Sequence, residues 1–149
     1  MPKSDLHLDV FLPYRLSYLT NMISQDLAKL YTEKHGIAHT EWRVMAVLGI
    51  SSGVSAAFVA EKTAMDKVAV SRAINSMIKA GLVSREFASE DKRRSQLCLS
   101  EYGQKTYENI VPLVQAYEKD VLESLSASER DALDRILEKL TRYVLEGQP

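Results

Sequence analysis

The stretch DKVAVSRAINSMIKAGLVSREFASEDKRRSQLCLS, residues 66–100, decides how the rest of the chain is to be read. Asp66 is placed to cap a helix whose first turns carry Lys67, Val68, Ser71, Arg72 and Asn75. Val70, Ala73, Ile74, Met77 and Ile78 supply that helix with an inward face. Gly81 ends it, and Leu82 to Phe87 follows with the alternation of a strand. Ala88 to Arg94 reads as a charged connection, and Ser95 to Leu99 as the returning strand. Arg72 and Asn75 are side chains that pair bidentately with guanine and adenine in a major groove. Lys92, Arg93 and Arg94 suit phosphate or a narrow minor groove, with Asp91 able to hold one arginine in place. Taken singly, these are a solvated helix face and a solvated loop. Their adjacency is what points to duplex DNA.

Working back from Asp66, Ser55 can cap a short helix from Ala56 to Lys62, and Thr63-Ala64-Met65 connects the two. Two short helices joined by so brief a turn have the spacing of a helix-turn-helix. Before them, Thr40 is the expected N-cap of an apolar helix running to about Leu48, closed by Ser51-Ser52-Gly53. The first helix runs from Pro13 to about His35, where Leu16, Leu19, Ile23, Leu27, Leu30 and Tyr31 form a stripe and Gly36 stops it.

Beyond the hairpin, Ser100 can cap a long helix to about Leu125, with a kink expected at Pro112. Ser126-Ala127-Ser128-Glu129 fits a capping box opening a last helix, whose stripe is Leu133, Ile136, Leu137, Leu140 and Val144. The expected fold is therefore mainly α with a small β-hairpin wing: a winged helix-turn-helix flanked by long N- and C-terminal dimerisation helices. It forms one domain over 1–149, with the DNA-binding lobe at about 37–100 and dimerisation helices at about 5–36 and 101–149. Long apolar stripes at both ends need partners, and a two-fold homodimer is the commonest way to provide them.

Composition narrows the function class. The net charge of -1 argues against indiscriminate coating of nucleic acid. Its distribution is uneven: residues 55–94 hold eight Lys or Arg against five Asp or Glu, whereas 104–149 hold six against nine. No apolar run reaches the roughly 18 residues of a membrane span. Charges interrupt the first apolar residues, so no signal peptide is expected and the cytoplasm is the expected location. One cysteine, Cys98, excludes an internal disulfide. No G-x-G-x-x-G, P-loop, nucleophile elbow or H-E-x-x-H occurs, so neither an enzyme nor a cofactor is expected. A helical interaction protein without DNA binding would explain the stripes but not the basic helix front and hairpin tip.

The run Asp91-x-Arg93-x-x-x-Leu97-x-Leu99-Ser100-x-x-Gly103 resembles the wing signature of the MarR family, with serine at 100 where threonine is common. Ser71-Arg72 followed by Lys79-Ala80-Gly81-Leu82-Val83 is similar to that family's recognition helix and its exit. The resemblance covers nearly the whole chain. It implies a homodimeric regulator on pseudo-palindromic operator DNA, released by a small ligand such as a phenolic or aromatic acid. It also implies a ligand cleft to which Arg15, Tyr18, Met22, Trp42, Arg43 and Met45 belong, although Trp42 and Met45 equally suit a core and the arginines structural pairing. Other branches of the family sense metals or peroxide. His35, His39 and Glu41 lie close in sequence, but Gly36 interrupts them, and Cys98 is far from the N-terminal region where peroxide sensors carry their thiol.

Overall fold

The computed structural model describes residues 5–88 and 91–147; the side chains of residues 88 and 91–94 lie outside that description. After a 3-10 turn at Leu8–Val10 the helices are α1 (Leu12–His35), α2 (His39–Ile50), α3 (Ala56–Thr63), α4 (Lys67–Lys79), α5 (Glu101–Glu123) and α6 (Ala127–Glu146). Between α4 and α5 lie two antiparallel strands, β1 (Val83–Ala88) and β2 (Asp91–Leu99). The chain forms two compact units, Met1–Pro112 and Leu113–Pro149. Among the described residues no helix is long and apolar enough to cross a membrane.

In the first unit, side chains from every α-helix and from the hairpin converge on one core. Tyr31, Val44, Met45, Leu48, Val59, Val70, Ile74, Met77, Leu97 and Ile110 are all buried in it. The element ends are set by local chemistry. Gly36 takes a left-handed φ of 64° and its N–H donates to the Thr32 carbonyl (2.8 Å), which stops α1. Ser55 Oγ accepts from Phe58 N–H (3.1 Å) to start α3, and Asp66 Oδ1 accepts from Val68 N–H (3.1 Å) to start α4.

Thr40 does not cap α2. The helix begins two residues earlier than such a cap implies, at His39, and Ala38 occupies the cap position. Glu41 is the reason: its carboxylate reaches back and accepts the Ala38 N–H (2.9 Å), fixing the chain at the position before His39.

The hairpin is longer than its alternation suggests. Val83 pairs with Leu99, Arg85 with Leu97 and Phe87 with Ser95, after which the register slips and Ala88 pairs with Asp91. Residues taken for a loop, from Asp91 onward, thus belong to β2. A third piece of extended chain was hidden in the segment after α2. Val54 bridges Leu97, donating to its carbonyl (3.3 Å) and accepting its N–H (2.7 Å), so the hairpin base is tied to the start of α3.

The return from β2 into α5 is a tight joint. Ser100 N–H donates to the Leu82 carbonyl (2.9 Å), Ser100 Oγ donates to the Gly81 carbonyl (2.5 Å) and accepts the Gly103 N–H (3.0 Å). Gly103 is buried, and a Cβ there would stand 2.0 Å from the Leu82 carbonyl oxygen. Only glycine permits this approach. α5 continues without interruption through Pro112.

The second unit comprises the rest of α5 and α6. α6 opens on the expected capping box, with Glu129 N–H donating to Ser126 Oγ (3.2 Å) and Ser126 N–H donating to Glu129 Oε1 (2.9 Å). None of its residues is buried, and Leu133, Ile136, Leu137, Val144 and Leu145 all face solvent.

Candidate nucleic-acid interface

α3 and α4 are joined by Ala64, Met65 and Asp66. Ala64 adopts φ 53°, a left-handed conformation unusual for an L-residue with a Cβ, and caps α3 through its N–H to the Glu61 carbonyl (3.3 Å). Thr63 braces the turn: its hydroxyl donates to the Val59 carbonyl (2.8 Å) and accepts from Met65 N–H (3.3 Å). The turn sends α4 off with Val70, Ala73, Ile74 and Met77 buried. The opposite face therefore points away from the core, and it carries Lys67, Val68, Ser71, Arg72 and Asn75, all exposed.

The structure thus brings all five expected helix residues to one open surface. Val68 is 55% exposed, an apolar side chain of the kind that packs on a thymine methyl. Lys79 was not foreseen as part of this surface. It is exposed and follows Val68, Arg72 and Asn75 at helical spacing, so it lies on the same face, as the last residue of the helix. The 68-72-75-79 spacing was the available signal. A lysine in the last turn also complements the helix dipole.

Asp91, Lys92, Arg93 and Arg94 have backbone in β2, but their side chains lie outside the described residues. Residues 92–94 fall between the Phe87–Ser95 and Ala88–Asp91 pairs, at the register slip. On β1, Arg85 and Phe87 are exposed, the latter by 59%. The free thiol of Cys98 is half-buried, and Cys98 pairs with Ser84 across the hairpin.

The six residues expected around a ligand divide. Arg15, Tyr18 and Met22 are exposed on α1, and Tyr18 lies 6.2 Å from Tyr14, centroid to centroid. Trp42 is half-buried in a stack, 5.7 Å from the Tyr31 ring and 6.0 Å from the Tyr107 ring. Tyr107 sits where a side chain at position 49 would be: a Cβ on Gly49 would stand 2.4 Å from its ring. Arg43 donates to Ser24 Oγ (3.1 Å), joining α2 to α1. Tyr31 is buried, and that burial pushes its phenol pKa up, with the Arg43 charge pulling it partly back. Met45 is fully enclosed in the core and presents no surface to a cleft. Among the described residues no three His, Cys, Asp or Glu side chains are close enough to hold a metal ion, and His35 and His39 are separated by the Gly36 turn.

Comparison with known proteins places this geometry in a wider group. A family model described as the MarR family matches residues 35–94, which span the helix-turn-helix and part of the hairpin. A crystal structure of a MarR/EmrR family transcriptional regulator from Acinetobacter sp. ADP1 is 31% identical, with a TM-score of 0.86 over 95% of this chain and 99% of that one. The HTH-type transcriptional regulator BilQ of Clostridium symbiosum (strain WAL-14163) is 27% identical over 127 residues, 83% of this chain and 88% of that protein. Bordetella bronchiseptica BpsR, whose DNA binding is regulated by 6-hydroxynicotinic acid, shares the fold at 18% identity and a TM-score of 0.80 over 93% of this chain and 98% of that one. With the six helices, the two-stranded wing and the open face of α4, these similarities make the chain a member of the MarR family of DNA-binding, winged helix-turn-helix transcription regulators.

Proposed function

We propose that this regulator is a homodimeric repressor, acting in the cytoplasm, that leaves its operator when a small aromatic acid binds. It works by binding and not by catalysis. The observation that carries the DNA-reading half is the outward face of α4, where Lys67, Val68, Ser71, Arg72 and Asn75 stand exposed on a helix seated in the core. Two copies of α4 enter successive major grooves about 34–36 Å apart. Lys92, Arg93 and Arg94 of each wing meet the flanking backbone or minor groove, with Asp91 holding the tip.

The dimer half rests on the uncovered apolar faces at the two ends of the chain. Leu12, Leu16 and Leu19 on α1 are exposed, as are Ile136, Leu137 and Val144 on α6. A soluble chain that leaves such stripes open buries them against another molecule, and a second copy is the simplest occupant. In this division of labour residues of about 37–100 read DNA, and about 5–36 and 101–149 hold the dimer.

For the effector, Arg15, Tyr18, Met22, Trp42 and Arg43 are the candidate contacts, and Met45 is withdrawn because it is enclosed. An arginine beside aromatic rings suits a ring bearing a carboxylate. The acid regulating BpsR has this chemistry. Release requires the ligand to favour a separation of the two reading heads that the operator does not.

The test is a titration of the full chain against duplexes selected from a randomised pool, with and without a panel of aromatic acids. Sequence-selective binding by a dimer, weakened by at least one acid, is the expected result. A monomer with no duplex preference would sink the whole scheme, and a dimer indifferent to every acid would sink the effector alone.

A further inference from the structure

Beside Arg72 lies a cleft of about 300 Å³, lined by Thr40 and Glu41 of α2 and by Ala69, Arg72, Ala73 and Ser76 of α4. Ala69, Arg72 and Ser76 follow at three and four residues, so they share the edge of α4 that faces the start of α2. Arg72 is exposed and, among the described residues, has no ion pair or hydrogen bond. Without Glu41 this would be an attractive seat for a phosphate: a free guanidinium, two hydroxyls and the positive end of a helix dipole. Glu41 places a carboxylate there instead. Its side chain is half-buried, and Oε1 is held by the Ala38 N–H at 2.9 Å, so the charge stays at the cleft.

We propose that Glu41 is a specificity-determining residue, whose carboxylate keeps DNA phosphate out of this cleft and so reserves Arg72 for base edges. The proposal rests on the DNA-reading role of Arg72 given above. Binding to unrelated sequence is almost wholly a matter of phosphate contacts. An arginine at the edge of the reading helix would by default spend its charge on the backbone, with equal strength on every sequence. A fixed anion beside it repels the backbone and offers the guanidinium an alternative that a guanine edge, with two aligned acceptors, can outcompete. Affinity for unrelated duplex falls more than affinity for the correct site. The same carboxylate caps α2, which places the charge without a separate structural device.

Glu41→Gln separates the two roles, because glutamine keeps the acceptor for Ala38 N–H and removes the charge. Parent, E41Q, R72Q and the double variant are titrated against a duplex recovered by the parent from a randomised pool and against an unrelated duplex of equal length. E41Q is expected to bind the unrelated duplex about tenfold more tightly and the selected one no more than about twofold, with a salt slope on the unrelated duplex steeper by about 0.9, one added phosphate contact. In the R72Q background the E41Q effect should vanish. Thr40→Asp, which adds a second acid to the first turn of α2 where the dipole favours it, should shift selectivity the opposite way. It keeps the test open should E41Q fold poorly. An unchanged ratio between the duplexes in E41Q and T40D overturns the role of Glu41, and so does an E41Q effect that persists in R72Q. A parent that prefers no duplex at all instead removes the DNA-reading role of Arg72.

Discussion

Three residues show how much hangs on single atoms. Gly103 lies against the Leu82 carbonyl, where a Cβ would meet backbone oxygen at 2.0 Å. Gly103→Ala should destabilise the protein by about 2–3 kcal/mol, read as a drop in the denaturant midpoint with unchanged slope. Ala64 is the converse case: its left-handed conformation costs about 1–2 kcal/mol, partly returned by the unfolded-state entropy a glycine loses. Ala64→Gly should therefore leave stability unchanged or raise it by up to roughly 1 kcal/mol, measurable in the same experiment. Arg72→Ala should weaken binding to the selected duplex by about 1–3 kcal/mol and relax preference at one base pair, which a competition assay with single-base variants would reveal. Asp66, Gly81 and Ser100 were legible in the sequence because caps and helix ends demand particular side chains, whereas Gly103 was legible only through the family signature. Ala64 was not, since alanine carries no turn signature. The Tyr31–Trp42–Tyr107 stack was equally hidden, because contacts between residues so far apart along the chain arise only from packing.

At the level of elements, periodicity and caps found all six α-helices but not the 3-10 turn at Leu8–Val10, and the other errors lay where two solutions compete at an end. α2 has both Thr40 and Glu41 near its start, and the longer side chain opened the helix two residues sooner. The hairpin was under-read because Lys92, Arg93 and Arg94 break the apolar alternation, although β2 runs on to Asp91 and its pair Ala88. Val54 was missed because a single bridge has no period at all. α6 offers a test of capping. Ser126→Ala should cost about 1 kcal/mol, seen as earlier loss of helicity on heating. Its partner Glu129 has a carboxyl pKa held below the ordinary value, chiefly by the Ser126 backbone N–H and then by the Ser126 hydroxyl. A folded-state pKa below the unfolded one means the contribution is present above the unfolded value and is lost as pH falls through the folded one. An NMR titration of the Glu129 carboxyl should show that lowered midpoint, and S126A, which keeps the backbone N–H, should remove only the hydroxyl's smaller share of the shift.

For the whole molecule, the open apolar stripes are the feature most exposed to test. Ile136→Glu places a charge in the α6 stripe at a position that is itself 55% exposed, so no buried side chain is replaced. Light scattering should then report a monomer whose unfolding of the first unit, followed through the single Trp42, is unchanged. Operator affinity should fall by orders of magnitude, because two linked heads gain from effective concentration what one head cannot. Partnering was legible only as an unsatisfied stripe, for a sequence states which face is apolar and not what covers it. The wing cations, likewise, were legible as a charge cluster.

The joint between α4 and α5 gives the molecule a mechanical property. Leu82 N–H donates to the Met77 carbonyl (2.9 Å) at the end of α4, while the Leu82 carbonyl accepts Ser100 N–H (2.9 Å) at the start of α5. One residue is thus pinned to both helices, and Gly103 removes the slack a side chain would need. A joint pinned in this way would act as a crank. Thirteen residues make α4 about 20 Å long, so a turn of about 10° at the start of α5 carries the far end of α4 by about 3.5 Å. That displacement exceeds the length of a hydrogen bond, so on the proposed DNA-reading role a tilt of α5 of this size would carry the Asp66 end of α4 beyond the reach of a base contact.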